Sequence, residues 1–133
     1  DGQQVRGFIA ELKAVADAVR SSNKPQLGET ARYLDQSLAD LETTTEWLLE
    51  SIAKGETTAV LSGATPYQRL FGLALTGTYL AKGALASVED GQGDKRDALC
   101  RFAAENLLAE TAALKDRVLS GAASLEAARA VLA

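Results

Sequence analysis

The sequence predicts an all-α fold, an antiparallel bundle of four main helices with a short C-terminal helix. Three observations carry this. Apolar residues recur at spacings of three and four along four long segments. The breaks between those segments are short and built from Gly, Ser, Asn, Asp and Pro. Aromatic residues make up only 5% of the chain, while alanine is heavily used, which suits closely packed helices. At 133 residues the chain is expected to form a single helical domain, residues 1–133, with core enough to fold without disulfides or metals.

The first segment places Val5, Phe8, Ile9, Leu12, Val15 and Val19 on one face and Arg6, Glu11, Lys13, Asp17 and Arg20 elsewhere on the wheel. It is expected to end near Ser21-Ser22-Asn23, because Lys24 precedes Pro25 and is biased away from helical dihedrals. Asn23 or Lys24 then begins the second helix, with Pro25 in its first turn. That helix carries the most regular pattern in the chain: Leu27, Ala31, Leu34, Leu38, Leu41, Thr45, Leu48 and Ile52 alternate steps of four and three. Such a heptad seam suits knobs-into-holes contact with antiparallel neighbours. Trp47 and Leu49 lie off it and predict a second covered surface. Gly55 is the expected stop, after Lys54 in the last turn.

Glu56 to Gly63 leaves room for a short helical turn or two before Thr65-Pro66, a hydroxyl cap followed by proline that signals a helix start. The third helix is predicted from Pro66 to about Val88. It is apolar nearly all round, with Tyr67, Leu70, Phe71, Leu73, Leu75, Tyr79, Leu80 and Leu85, and is expected at the centre. Gly72, Gly77 and Gly83 each cost it about 1 kcal/mol against alanine, so close approach by another backbone is expected at each. After the polar turn Glu89–Asp94, Asp94 is placed to cap a fourth helix that runs to Leu119, with Cys100, Ala103, Ala104, Leu107, Thr111, Leu114 and Val118 inward. Gly121 closes it, and Ser124 caps the short last helix, Leu125 to Ala133.

Composition excludes several classes of function. Fourteen basic against 18 acidic side chains leave a net charge of −4, with a pI near 4.8, so nothing attracts a nucleic acid backbone. Histidine is absent, which removes His-based acid/base chemistry, Ser-His and Cys-His pairs, and the usual zinc and di-iron ligand sets. The longest uncharged apolar run, Leu70 to Ala81, is too short to span a bilayer. The start Asp1-Gly2-Gln3 reads as a cut from a longer chain; a mature secreted chain could look similar, but no signal-peptide pattern is present and cytoplasm is the expected setting.

Each candidate for chemistry has a plainer reading. Gly91-x-Gly93 lacks the preceding strand and third glycine of a dinucleotide loop and reads as a flexible turn. Glu42, Glu46 and Glu50, four residues apart, read as a solvated face. Cys100 reads as a small buried hydrophobe. Asp97, Arg101 and Glu105 form a ladder at successive turns that reads as solvated pairing. Tyr67 and Tyr79 need phenol partners if buried, and Asn106 is placed to hydrogen-bond across helices. A ligand pocket between helices fits the bundle class, but no convergent polar set marks one.

The segments Ala64-Thr65-Pro66-Tyr67-Gln68-Arg69-Leu70-Phe71-Gly72, then Gly77, then Arg101-Phe102-Ala103-Ala104-Glu105-Asn106-Leu107-Leu108, then Ser120 to Ser124, together resemble the accessory C-terminal domain of large bacterial acyl-CoA dehydrogenases. That group includes enzymes similar to 3-methylmercaptopropionyl-CoA dehydrogenase. The likeness is strongest from about Gly63 to Ser124. It departs at Ala109, where family members often place a proline, and at Thr78-Tyr79, where a Gly-Trp-like pair is common.

The resemblance implies an FAD-dependent parent that oxidises the Cα–Cβ bond of an acyl-CoA, in fatty acid metabolism. The base and the flavin-binding surfaces belong to the preceding domains, so no catalytic, cofactor or metal residue is assigned here. Pro66, Tyr67, Leu70, Phe71, Gly72, Gly77, Arg101, Phe102, Glu105 and Asn106 are expected to be a packing motif. The implied partners are the catalytic domains of the parent and further copies of it, with neither nucleic acid nor membrane. The alternative is a free-standing helical interaction module whose groove takes a partner helix.

Overall fold

The computed structural model describes residues 2–86 and 88–133. Asp1, at the expected cut, and Ser87, inside the expected end of the third helix, lie outside them. Four rods run alternately up and down. The first three are α1 (Gln3–Ser22), α2 (Thr30–Ala53) and α3 (Thr57–Leu85); the fourth is made of two helices, α4 (Gly93–Asn106) and α5 (Thr111–Leu132), joined through a 3-10 turn at Leu108–Glu110. The predicted class therefore holds, an all-helical bundle, although several helix boundaries move.

α2 and α3 form the middle of the bundle, with α1 packed on both from one side and α4 and α5 from the other. The heptad in α2 explains its place. Leu34, Leu41 and Leu48 occupy one heptad position, Leu38 and Thr45 a second, and Thr30, Ser37, Thr44 and Ser51 a third; all nine are buried. A face three positions wide can meet neighbours on two sides at once, and each fully buried leucine on it contributes about 1.5–3 kcal/mol. The hydroxyls fit because they turn back on their own helix: Ser37 Oγ donates to the Leu34 carbonyl at 3.0 Å and Thr44 Oγ1 to that of Asp40 at 2.9 Å.

Five boundaries differ from expectation. Pro25 opens a separate 3-10 turn, Pro25–Leu27, and Gly28 then turns the chain with φ +52°, so α2 starts only at Thr30. Ile52, the last predicted seam residue, is 60% exposed, because α2 ends one residue later. Lys54, Gly55 and Glu56 close that helix in a Schellman arrangement: Gly55 has φ +72°, the Glu56 amide reaches the Ser51 carbonyl at 2.9 Å, and the Gly55 amide reaches that of Ile52 at 3.1 Å.

The chain re-enters a helix at once, so Thr65-Pro66 does not start α3. Buried Pro66 lies inside it, and Gly63 in the preceding turn packs near Val118, Leu48 and Trp47, which holds those early turns in place. α3 ends at Leu85, short of Val88. In the fourth rod the break falls at Leu107, not at Gly121: both Gly121 and Ser124 lie inside α5, where the Ser124 hydroxyl bonds the Gly121 carbonyl at 3.1 Å instead of capping. Asp94 lies in the first turn of α4 and makes no capping bond. α3, expected alone at the centre, shares it with α2 and leaves Leu61 and Tyr79 exposed.

Candidate functional site

The polar residues that the fold brings together lie between the rods. Asp40, on α2, is 1% exposed. Its Oδ1 accepts from Gln36 Nε2 at 3.0 Å and from the Lys115 ammonium at 3.1 Å. Thr111 Oγ1 lies 2.9 Å from both Asp40 Oδ2 and the Leu108 carbonyl, so one proton serves two acceptors. A buried carboxylate is tolerated only with such partners. This one ties α2 to the start of α5, beside the break in the fourth rod.

A second clamp joins the turn after α1 to α3 and α4. Lys24 Nζ donates to Asp97 Oδ1 at 2.8 Å and to the Ala84 carbonyl at 3.0 Å, with Asp97 buried. Asp97 therefore turns inward and leaves the expected ladder with Arg101. A third contact joins α2 and α3: Thr45 Oγ1 donates to the Leu41 carbonyl at 2.7 Å, so the Tyr67 phenol at 2.8 Å is the donor to Thr45. Among the described residues no buried side-chain nitrogen or oxygen lacks a partner.

The motif residues fall into different surroundings. Pro66, Leu70 and Gly77 are buried. Tyr67 meets Phe71 edge-on at 6.0 Å between ring centroids, and Phe71 stacks on Phe8 of α1 at 6.2 Å. Gly77 lies directly under Leu108. Gly72 and Gly83, in contrast, have open space where a Cβ would go, so the expected close approach does not occur at either. Arg101 Nε bonds Glu105 Oε1 at 2.9 Å, and both side chains cover Gly28. Phe102 is 59% exposed. Asn106 Nδ2 bonds the Phe102 carbonyl on its own helix at 2.9 Å, so it does not reach across to a neighbour.

The surface charges form an inter-rod ladder. Arg6, Lys13 and Arg20, seven residues apart on α1, pair with Glu46, Glu42 and Asp35 of antiparallel α2. Glu42, Glu46 and Glu50 thus turn to separate cations, Glu50 to Lys54, and do not converge. The Arg6 hydrogen bonds hold the Glu46 carboxyl below the ordinary range, and those of Arg69 do the same for Glu110. Cys100 is 1% exposed, and burial pushes its thiol above the usual value; a buried neutral thiol is a poor nucleophile.

One open cleft, of about 600 Å³, runs over Arg20, Gly28, Glu29, Arg32 and Asp35. Its guanidinium groups are already bonded, Arg20 to Asp17 and Asp35 and Arg32 to Glu29. Among the described residues no cluster of three acidic, cysteine or histidine side chains could hold a metal ion, and no helix is long and apolar enough to cross a membrane. Sequence reasoning did not single out Lys24, Asp40, Thr111 or Lys115 as sites. The available signal was the hydroxyl residue at every seventh position of α2 from Thr30 to Ser51, which marks a third buried stripe beside Asp40.

Chemically, the arrangement is a set of closed clamps that fix the register of four rods. No curated protein and no solved structure gives a significant match to the chain. Residues 3–129 match the family described as acetyl-CoA dehydrogenase C-terminal like, a span that takes in all three clamps and nearly the whole bundle. The chain belongs to that family.

Proposed function

We propose that this chain is the non-catalytic C-terminal module of an FAD-dependent acyl-CoA dehydrogenase of the 3-methylmercaptopropionyl-CoA dehydrogenase-like group, in the cytoplasm, and that it docks on the catalytic domains and supports subunit assembly. The family match over residues 3–129 carries this reading. The disposition of polar groups supports it, since the buried acid Asp40 is held by Lys115, Thr111 and Gln36 and is not presented to a cleft.

The residues present do not fit a flavin. A dinucleotide pyrophosphate needs free cations or amides, and the guanidinium groups of the cleft over Arg20 and Arg32 are already neutralised by Asp17, Asp35 and Glu29. In the parent the flavin and the acyl-CoA then belong to the preceding domains, and the packing motif around Tyr67, Phe71 and Gly77 serves to keep the module rigid.

The test is to express the catalytic domains encoded upstream and this chain as two polypeptides. Co-purification and a raised melting temperature of the flavoprotein are expected. Failure to associate, or tight FAD binding and dye reduction by this chain alone, would count against the reading.

A further inference from the structure

α4 brings little apolar bulk to the interior. What it buries is Asp97, Cys100, Ala103 and Ala104, whereas α1 buries Ile9, Leu12 and Val19, and α2 buries Leu34, Leu38, Leu41 and Leu48. The largest apolar side chains of α4, Leu99 and Phe102, lie on the outside, 55% and 59% exposed. Apolar stabilisation scales with the area removed from water, so this helix gains less from its seat on α2 and α3 than they gain from each other. Its polar fastening is also light. Asp97 bonds Lys24 at 2.8 Å, but the Lys24 side chain is itself 34% exposed, and the Glu29 amide reaches Glu105 Oε1 only at 3.4 Å.

The chain is held very differently on the two sides of α4. Before it, residues 88–95 are all exposed, Gly91 turns with φ +70°, and no side chain caps the helix start. After it the chain is bolted down. Leu108 fills the space over Gly77, Glu110 accepts two hydrogen bonds from Arg69 at 2.6 and 2.9 Å, and Thr111 donates to buried Asp40 at 2.9 Å. These ties fix the chain from Leu108 onward, so a displacement of α4 stops at Leu107, where the helix is already broken.

We propose that α4 is a strap that detaches from the bundle as a unit, pivoting at Leu107, while α1, α2, α3 and α5 stay packed. Its 14 residues are too few to hold a helix alone in water, so the detached strap unravels. Detachment separates Lys24 from Asp97, lifts Arg101 and Glu105 off Gly28, and frees the inner face that carries Cys100. The bundle opens first along this seam, and the thiol reports the opening. The strap requires nothing of a parent enzyme, so it stands or falls separately from the proposed function.

Labelling of Cys100 by an aromatic disulfide reagent, set beside urea unfolding of the same 133-residue chain, tests it. In native buffer, where the rate rises in proportion to reagent, the rate relative to that of the unfolded chain gives the open fraction. This fraction is expected to exceed the globally unfolded fraction by about tenfold or more, and to rise with urea less steeply than global unfolding does. Amide hydrogen exchange is expected to show residues 97–106 opening together, with Leu34 to Leu48 of α2 protected about tenfold more or better.

Two variants separate the strap from the whole. Val118→Ala, on α5 beside Gly63, removes a contact that the closed and the strap-open forms share. It is expected to lower the urea midpoint and to speed exchange in α2 by about tenfold, through the cavity it leaves, while Cys100 labelling stays unchanged. Asp97→Asn breaks the fastening itself and is expected to speed labelling by about tenfold. An open fraction equal to the globally unfolded one overturns the proposal. So does labelling that accelerates with Val118→Ala in step with α2, labelling indifferent to Asp97→Asn, or a rate with no urea dependence, the mark of a single side chain breathing.

Discussion

Leu108 lies over Gly77 so closely that a Cβ on Gly77 would come 2.7 Å from Leu108 Cδ1 and 2.9 Å from Cδ2. Leu108 is itself 1% exposed and belongs to the turn that breaks the fourth rod, so it has nowhere to withdraw. A larger residue on α3 would therefore force α3 away from the α4–α5 junction.

Gly77→Leu is expected to destabilise the bundle by more than about 2 kcal/mol through overpacking. Gly72→Ala, on the same helix with open space at its Cβ, is expected to stabilise by about 0.5–1 kcal/mol through helix propensity. Urea unfolding of the two variants against the parent sequence measures both. A Gly77→Leu protein with an unchanged midpoint would show that Leu108 does not occupy this position in solution.

Lys115→Met leaves the Asp40 carboxylate buried without its cation and is expected to cost about 2–3 kcal/mol. That is below the usual cost of breaking a fully buried pair, because the Lys115 side chain is 28% exposed. Adding Asp40→Leu removes the stranded charge, and Thr111 keeps its bond to the Leu108 carbonyl. The double variant is expected to be more stable than Lys115→Met alone, and a double-mutant cycle by chemical denaturation reads the coupling.

Acid is expected to loosen three of the surface ion pairs. Glu46, Glu110 and Asp90 are held below their ordinary values, each first by hydrogen bonds from an arginine, Arg6, Arg69 and Arg96 respectively. The unfolded chain then takes up protons first as pH falls. The contribution of the two glutamates is complete above their ordinary value of 4.5 and is lost as pH falls through the folded values; Asp90 follows the same course from 3.8. Melting temperatures recorded from neutral pH downward should fall in this window, less steeply in Glu46→Gln and in high salt.

Cys100 should be silent in the native state. Burial raises its thiol and closes access to it, so a disulfide reagent is expected to label it only as fast as the bundle opens. Complete labelling within the mixing time in native buffer would contradict this, whereas rapid labelling in denaturant is expected.

The extent to which the fold was legible in the sequence varies from rod to rod. The α2 seam from Leu34 to Leu48 was legible because burial and periodicity are the same fact read twice along an amphipathic helix. The break at Leu107 was not, since Ala104, Leu107 and Thr111 keep the steps of three and four through it without Gly or Pro. The three glycines of α3 show the same limit: Gly72, Gly77 and Gly83 are alike as letters, yet Gly77 alone of the three meets a neighbour within 4 Å.

The sequence by itself determined that the chain is helical, that four apolar faces must meet, and that no histidine chemistry is available. Those properties depend on residue type and on spacings of three and four, which act within one or two turns. Only the tertiary structure decided that Asp97 turns to Lys24, that Asp40 meets Lys115 and Thr111, and that α5 runs past its neighbours. Each depends on the rotation and axial register of rods whose contacting residues lie some seventy positions apart in the chain, where a shift of a single turn would exchange every partner.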